Sequence, residues 1–148
     1  MNPDDEVLEA YGALYNWYAV ETGNICPTGW RVPTDEEWTT LTDYVERAAG
    51  GKLKSGRTSS DAHPRWESPN TDATDEYGFS ALPGGYRISN GIFTNVGFSG
   101  HWWSSSGDDS MLLTTFALYR SMIFNSSSVN RDSNNKRFGF SVRCVRYN

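Results

Sequence analysis

The sequence is poor in the residues that most chemistry needs, with two cysteines and two histidines among 148 residues. Cys26 and Cys144 stand far apart. Neither has a neighbouring histidine or a second cysteine at metal-ligand spacing, so no zinc-type site is legible. They are either two small buried hydrophobes or a disulfide tying both ends of the domain, and spacing alone does not decide. His63 precedes a proline in a polar stretch and reads as solvated, while His101 beside two tryptophans reads as a packing or surface residue. No Gly-x-Ser-x-Gly elbow occurs. Glycine-rich pieces such as Leu82-Pro83-Gly84-Gly85-Tyr86 do not match a phosphate cradle. The expectation is a chain that is not an enzyme, with no catalytic residue, no metal and no cofactor.

Positive charge is short as well. Thirteen basic residues face eighteen acidic ones, a net charge of -5, and contact with a phosphate backbone needs the opposite balance. Nucleic acid is therefore excluded as an expected partner. Apolar runs are also missing: nothing approaches the ~18–20 residues that cross a bilayer. Met1-Asn2-Pro3-Asp4-Asp5-Glu6 has neither a basic nor an apolar region, so no signal peptide is legible there.

What the chain does have is aromatic bulk. Apolar residues reach only 37%, but aromatics make up 14%, with six Trp and eight Tyr. A few large rings can thus carry much of the core. The length suits a single domain over residues 1–148, and a monomer is expected.

Along the chain, residues 1–10 are acidic and read as a loose lead-in, and residues 14–20 are aromatic and β-branched, a strand pattern. Thr34 with Glu37 three residues on predicts a capping box, and Asp35, Glu36 and Glu37 suit the positive end of a helix dipole. Trp38, Leu41, Tyr44, Val45 and Ala48 form one helical stripe, which Gly50-Gly51 would end. Residues 52–76 are polar and aperiodic, with Trp66 as an anchor and Asp72, Asp75 and Glu76 solvated. Short strands are predicted near 79–82, 84–88 and 101–105, with Asn90-Gly91 as a type I′ hairpin turn and one ring of Trp102-Trp103 inward. Residues 116–124 alternate: Phe116, Leu118, Met122 and Phe124 share one face, interrupted by Arg120, and Ala117, Tyr119, Ser121 and Ile123 the other. In a final strand Phe140, Val142 and Cys144 point inward. Trp17, Trp30, Trp38, Phe140 and Val142 are the expected core. One main early helix followed by several short antiparallel strands indicates an α+β fold. No internal repeat is evident.

Six segments together resemble a known family. They are residues 15–20, 26–38 (Cys-Pro-Thr-Gly-Trp-Arg-Val-Pro-Thr-Asp-Glu-Glu-Trp), Gly51-Lys52-Leu53-Lys54, 78–87 (Gly-Phe-Ser-Ala-Leu-Pro-Gly-Gly-Tyr-Arg), Trp102-Trp103-Ser104-Ser105 and 139–146. In this order, over about residues 11–146, they resemble the Fibrobacter succinogenes major paralogous domain. The resemblance implies a C-type-lectin-like fold of the formylglycine-generating-enzyme branch. It also implies an extracellular or cell-surface setting, as in surface lipoproteins of gut-type bacteria, or a phage particle.

Two departures bear on activity. The enzyme branch uses a reactive cysteine pair near its C-terminus, where this chain has only Cys144, so a copper-dependent oxidase of that type is disfavoured. Calcium-dependent lectins use a Glu-Pro-Asn-like triplet and a Trp-Asn-Asp partner; here stand Ser68-Pro69-Asn70 and Trp103-Ser104.

The same resemblance implies a target of diversity-generating retroelements, which mutate adenines in codons such as AAC. The resulting NNC codons never encode Trp, Met, Lys, Gln or Glu. Residues 104–138, dense in Ser, Asn and Asp and holding Tyr119, fit such an origin, within a variable ligand-binding region set at 101–138. By this rule Trp102, Trp103, Met111, Met122 and Lys136 are scaffold. The outward set Tyr119, Ser121 and Ile123 holds only permitted residues. With Asp108, Asp109, Asn130, Asp132, Ser133, Arg137 and Phe138 they form the expected ligand-binding site. The expected partner is a protein or cell-surface ligand, bound as by a paratope. The alternative is a glycan stacked on Trp102, Trp103 and Tyr119.

Overall fold

A computed structural model describes residues 3–110 and 114–148. Met111 lies outside the described residues. The elements run α1 (Pro3–Tyr11), α2 (Trp17–Glu21), β1 (Trp30–Arg31), α3 (Asp35–Val45), α4 (Ala49–Leu53), β2 (Tyr86–Arg87), β3 (Phe93–Thr94), β4 (Ser99–Gly107), β5 (Phe116–Ile123), β6 (Asn130–Asn135) and β7 (Val145–Arg146). This is an α+β fold, with all strand pairs antiparallel.

Local chemistry explains α3. The Thr34 hydroxyl accepts from the Glu37 N–H at 3.2 Å, and a Glu37 carboxylate oxygen accepts from the Thr34 N–H at 2.9 Å. Two orphan donors of the first turn are thereby satisfied. The apolar stripe is narrower than expected: Trp38 and Val45 are buried, but Tyr44 is 73% exposed. The glycine pair does not end this helix. Gly50 and Gly51 sit inside α4, where a Cβ would meet the Ser128 carbonyl oxygen at 2.3 Å and the Asp72 carbonyl oxygen at 2.5 Å. Close backbone approach, rather than helix termination, requires them.

The N-terminus departs from expectation twice. Residues 3–11 form a helix, with Asp4, Asp5 and Glu6 in its first turn, where negative charge suits the dipole. The Tyr11 hydroxyl anchors it, accepting from the Arg65 N–H at 3.0 Å and lying 2.7 Å from His63 Nδ1. His63 is thus a half-buried partner rather than a solvated side chain. The expected strand at 14–20 reduces to one bridge, Tyr15 with Phe140. Asn16 then caps α2 by accepting from the Ala19 N–H at 3.0 Å, a local bond that outweighs β-prone composition.

β4, β5 and β6 form one three-stranded sheet in that order. Trp102 and Trp103 on β4 point to opposite faces, as neighbours on a strand must. Trp102 packs with Trp38, Leu53, Trp66 and Met122, and Trp103 with Trp17, Val20, Val32 and Phe140. Both rings are buried, at 5% and 0% exposure, so neither serves as a surface platform for sugars. Trp66 is the loop anchor expected, its indole N–H donating to the Ala81 carbonyl at 2.9 Å.

Trp30, placed in the core from its sequence, is 43% exposed because β1 is an edge pair with β7. That pairing brings residues 30–31 beside residues 145–146, and Cys26 and Cys144 form a disulfide across a separation of 118 residues. The β2–β3 hairpin also differs in its turn. Only Gly91 has positive φ, at 99°, and its N–H closes the turn on the Ile88 carbonyl at 2.9 Å. A type I′ turn would need Asn90 left-handed too.

Candidate ligand-binding face

The β5–β6 register sorts the predicted site residues. Tyr119 lies opposite Asp132, and Ser121 opposite Asn130. Ile123 pairs with Ser99 and Ser121 with His101. Opposed residues share a face, so Tyr119, Ser121, Ile123, Asn130 and Asp132 lie on the Trp103 side of the sheet. Leu118 pairs with Ser133 and Arg120 with Arg131 on the reverse side.

The Trp103 side is not freely outward, as the alternation suggested. Ala117 is fully buried and Ser121 is 7% exposed, because Phe140 and α2 cover that face. Tyr119 is half-buried, its ring 4.7 Å from Phe140 and 5.7 Å from His101 between centroids. Phe138 is half-buried too, 6.2 Å from Phe140 and 6.3 Å from Tyr86. Four half-buried rings, Tyr86, His101, Tyr119 and Phe138, therefore surround the buried Phe140. Asn130, Asp132 and Arg137 stand exposed beyond them, and Ile123 is half-buried.

Electrostatics fit this picture. Burial pushes the Tyr119 hydroxyl upward, helped by the Asp132 charge and by Tyr86. Burial also lowers the His101 imidazole to about 4; its Nδ1 is buried without a partner, and its Nε2 lies 3.0 Å from Ser99 Oγ. His101 is thus neutral at ordinary pH. His101 and Tyr86 were missed as site residues, because only the fold brings β2 and β4 beside residue 138.

Asp108, Asp109 and Ser133 gather separately. With Leu118, Arg131 and Asp132 they line a hollow of about 520 Å³ around the sheet edge. The Asp108 carboxylate accepts from the Ser110 N–H at 3.0 Å and the Ser110 hydroxyl at 2.5 Å. Hydrogen bonds from Ser110 and Ser133 hold it below the usual carboxylate range. Asp108 is itself buried. The ten residues thus form two neighbouring groups that meet at Asp132, not one continuous patch.

Interleaved with them are residues that hold the strands. The buried Arg120 guanidinium donates to Asp35 Oδ1 at 2.5 Å and to the Thr39 hydroxyl at 2.9 Å, tying β5 to the start of α3. Arg131 joins the same carboxylate at 2.9 Å. Lys54 Nζ donates to the Ile123 and Ser126 carbonyls at 3.1 and 2.9 Å, fixing the turn between β5 and β6. Lys136 Nζ lies 4.4 Å over the Trp17 ring, and Met122 is fully buried.

The Fibrobacter succinogenes major domain model matches residues 1–146. The chain belongs to the Fibrobacter succinogenes major domain family. No curated protein and no solved structure matches it. In this Fibrobacter succinogenes major domain, the family segments supply much of the frame: the capping box, the buried Trp102 and Trp103, and the Gly139 and Phe140 bridges. No helix among the described residues is long and apolar enough to cross a membrane.

Proposed function

We propose that this domain is a non-catalytic ligand-binding display protein with a C-type-lectin-like fold, diversified by a retroelement. It engages a protein or cell-surface target through its C-terminal region. One observation carries the reading. Residues that NNC codons can encode, Tyr119, Asn130, Asp132, Arg137 and Phe138, reach solvent on β5, on β6 and just after β6, while Trp102, Trp103 and Met122, which those codons cannot encode, lie buried. A rigid frame under exchangeable side chains limits the ordering cost of binding, which is the logic of a paratope.

Ser104, Ala117, Arg120 and Ser121 are buried within the same stretch, so exchange is confined to its positions that reach solvent. Both cysteines are held in one disulfide. That supports binding over a thiol-dependent oxidase, whose copper would need free thiols, and it suits an oxidising, extracellular or cell-surface setting, including a phage particle. A glycan remains the second class of ligand, with Tyr119 and Tyr86 in place of the buried tryptophans.

The coding DNA tests the proposal. A near-identical template repeat beside a reverse transcriptase is expected. Its differences from the gene should fall at adenines in the codons for 119, 130, 132, 137 and 138, and should spare those for 102, 103 and 122. A locus without any such repeat would sink the diversification reading.

A further inference from the structure

Tyr86 belongs to the hairpin β2–β3, outside residues 101–138, yet it stands among the rings of the proposed site. Its centroid lies 4.8 Å from His101, 6.2 Å from Phe140 and 6.3 Å from Phe138, the last at an interplanar angle of 23°. Two backbone bonds weld it there: the Arg87 N–H donates to the Gly139 carbonyl at 2.9 Å, and the Gly139 N–H to the Arg87 carbonyl at 2.8 Å. A Cβ at Gly139 would come within 3.0 Å of Arg87 Cβ, so that contact has no slack. Tyr86 and Tyr119 are close enough to interact electrostatically, and Asp132 acts on Tyr119 as well. Among the described residues neither phenol hydroxyl has a hydrogen-bond partner, and neither is a buried unsatisfied atom. Tyr86 and Tyr119 are each half-buried, so part of each side chain reaches the surface.

We propose that Tyr86 is a fixed contact residue of the ligand-binding face, supplying a constant anchor beside the exchangeable Tyr119, Asp132 and Phe138. The inference rests on the display reading and deepens it. The occupant it fits is the surface of a folded protein. Two half-buried tyrosines, with Asn130 and the Asp132 carboxylate exposed at the rim, reproduce the mixture by which paratopes bind proteins: rigid amphipathic rings for area, short polar groups for adaptable hydrogen bonds. A constant ring beside the exchangeable ones gives every variant the same starting affinity, on which the exchanged positions impose choice.

The full chain is displayed with codons 119, 130, 132, 137 and 138 randomised as NNC, and selected against three unrelated purified proteins: lysozyme, serum albumin and streptavidin. Binders to each are expected, and Tyr86→Ala should weaken all of them roughly tenfold or more. Leu41→Ala, on the far side of the molecule, should destabilise the fold without changing affinity. Should Tyr86→Ala melt too early to compare, Tyr86→Phe keeps the packed ring and removes only the hydroxyl; a loss of about threefold is expected. Binders indifferent to both Tyr86 changes overturn this inference and leave the display reading standing. A folded library that yields no protein binders overturns both, and one that yields binders only on a glycan array assigns the face to sugars instead.

Discussion

Burial holds the His101 imidazole at about 4, against an ordinary value of 6.5. Between these values the unfolded chain binds a proton that the folded chain refuses. Stability therefore falls as pH drops from about 6.5 to about 4, by up to about 3 kcal/mol, and levels off below. Urea midpoints measured across that range should show the fall, and His101→Gln should remove this part of it. A fall of equal size in the variant would mean that another group titrates. The uncharged ring stacks on Phe140 at 5.1 Å between centroids.

At the scale of elements, the N-terminus of α3 clamps the three-stranded sheet β4–β5–β6. Asp35 receives Arg120 from β5 and Arg131 from β6. Its own burial pushes the carboxyl upward, but the hydrogen bonds from Arg131 and Arg120 outweigh it and hold the value below 3.8. The stabilisation is present above the unfolded carboxylate range and is lost as pH falls through the lowered value. Asp35→Ala leaves Arg120 buried without its counter-ion and is expected to cost about 3–5 kcal/mol in chemical denaturation. Arg131→Ala, at the exposed end, should cost under about 1 kcal/mol. Equal losses would show that the clamp does not depend on burial. The helix itself was legible because Thr34 and Glu37 solve its end within one turn. β6 was not: Asn130-Arg131-Asp132-Ser133-Asn134-Asn135 has no apolar residue to signal a strand, and its ladder comes from β5. The inward turn of Tyr119 and Ser121 was hidden for the same reason, since alternation separates two faces without saying which one Phe140 will cover.

For the whole molecule, the disulfide closes almost the entire chain. Cys26 and Cys144 are 118 residues apart, and the chain-entropy account of so long a loop gives about 4–5 kcal/mol, an estimate that depends on that model. Cys26→Ser with Cys144→Ser should therefore lower the denaturation midpoint sharply, while circular dichroism at low temperature still reports the native fold. An unchanged midpoint would place the stability in aromatic packing alone.

By itself the sequence determined the class of fold, the capped helix, the Trp66 anchor and the family, because each depends on neighbouring residues or on ordered segments. Only the tertiary structure decided that the cysteines pair, that both Trp102 and Trp103 are buried, and that Tyr86 meets Phe138. Those contacts join residues far apart in the chain, and packing, which has no local signature, sets which surfaces remain in water.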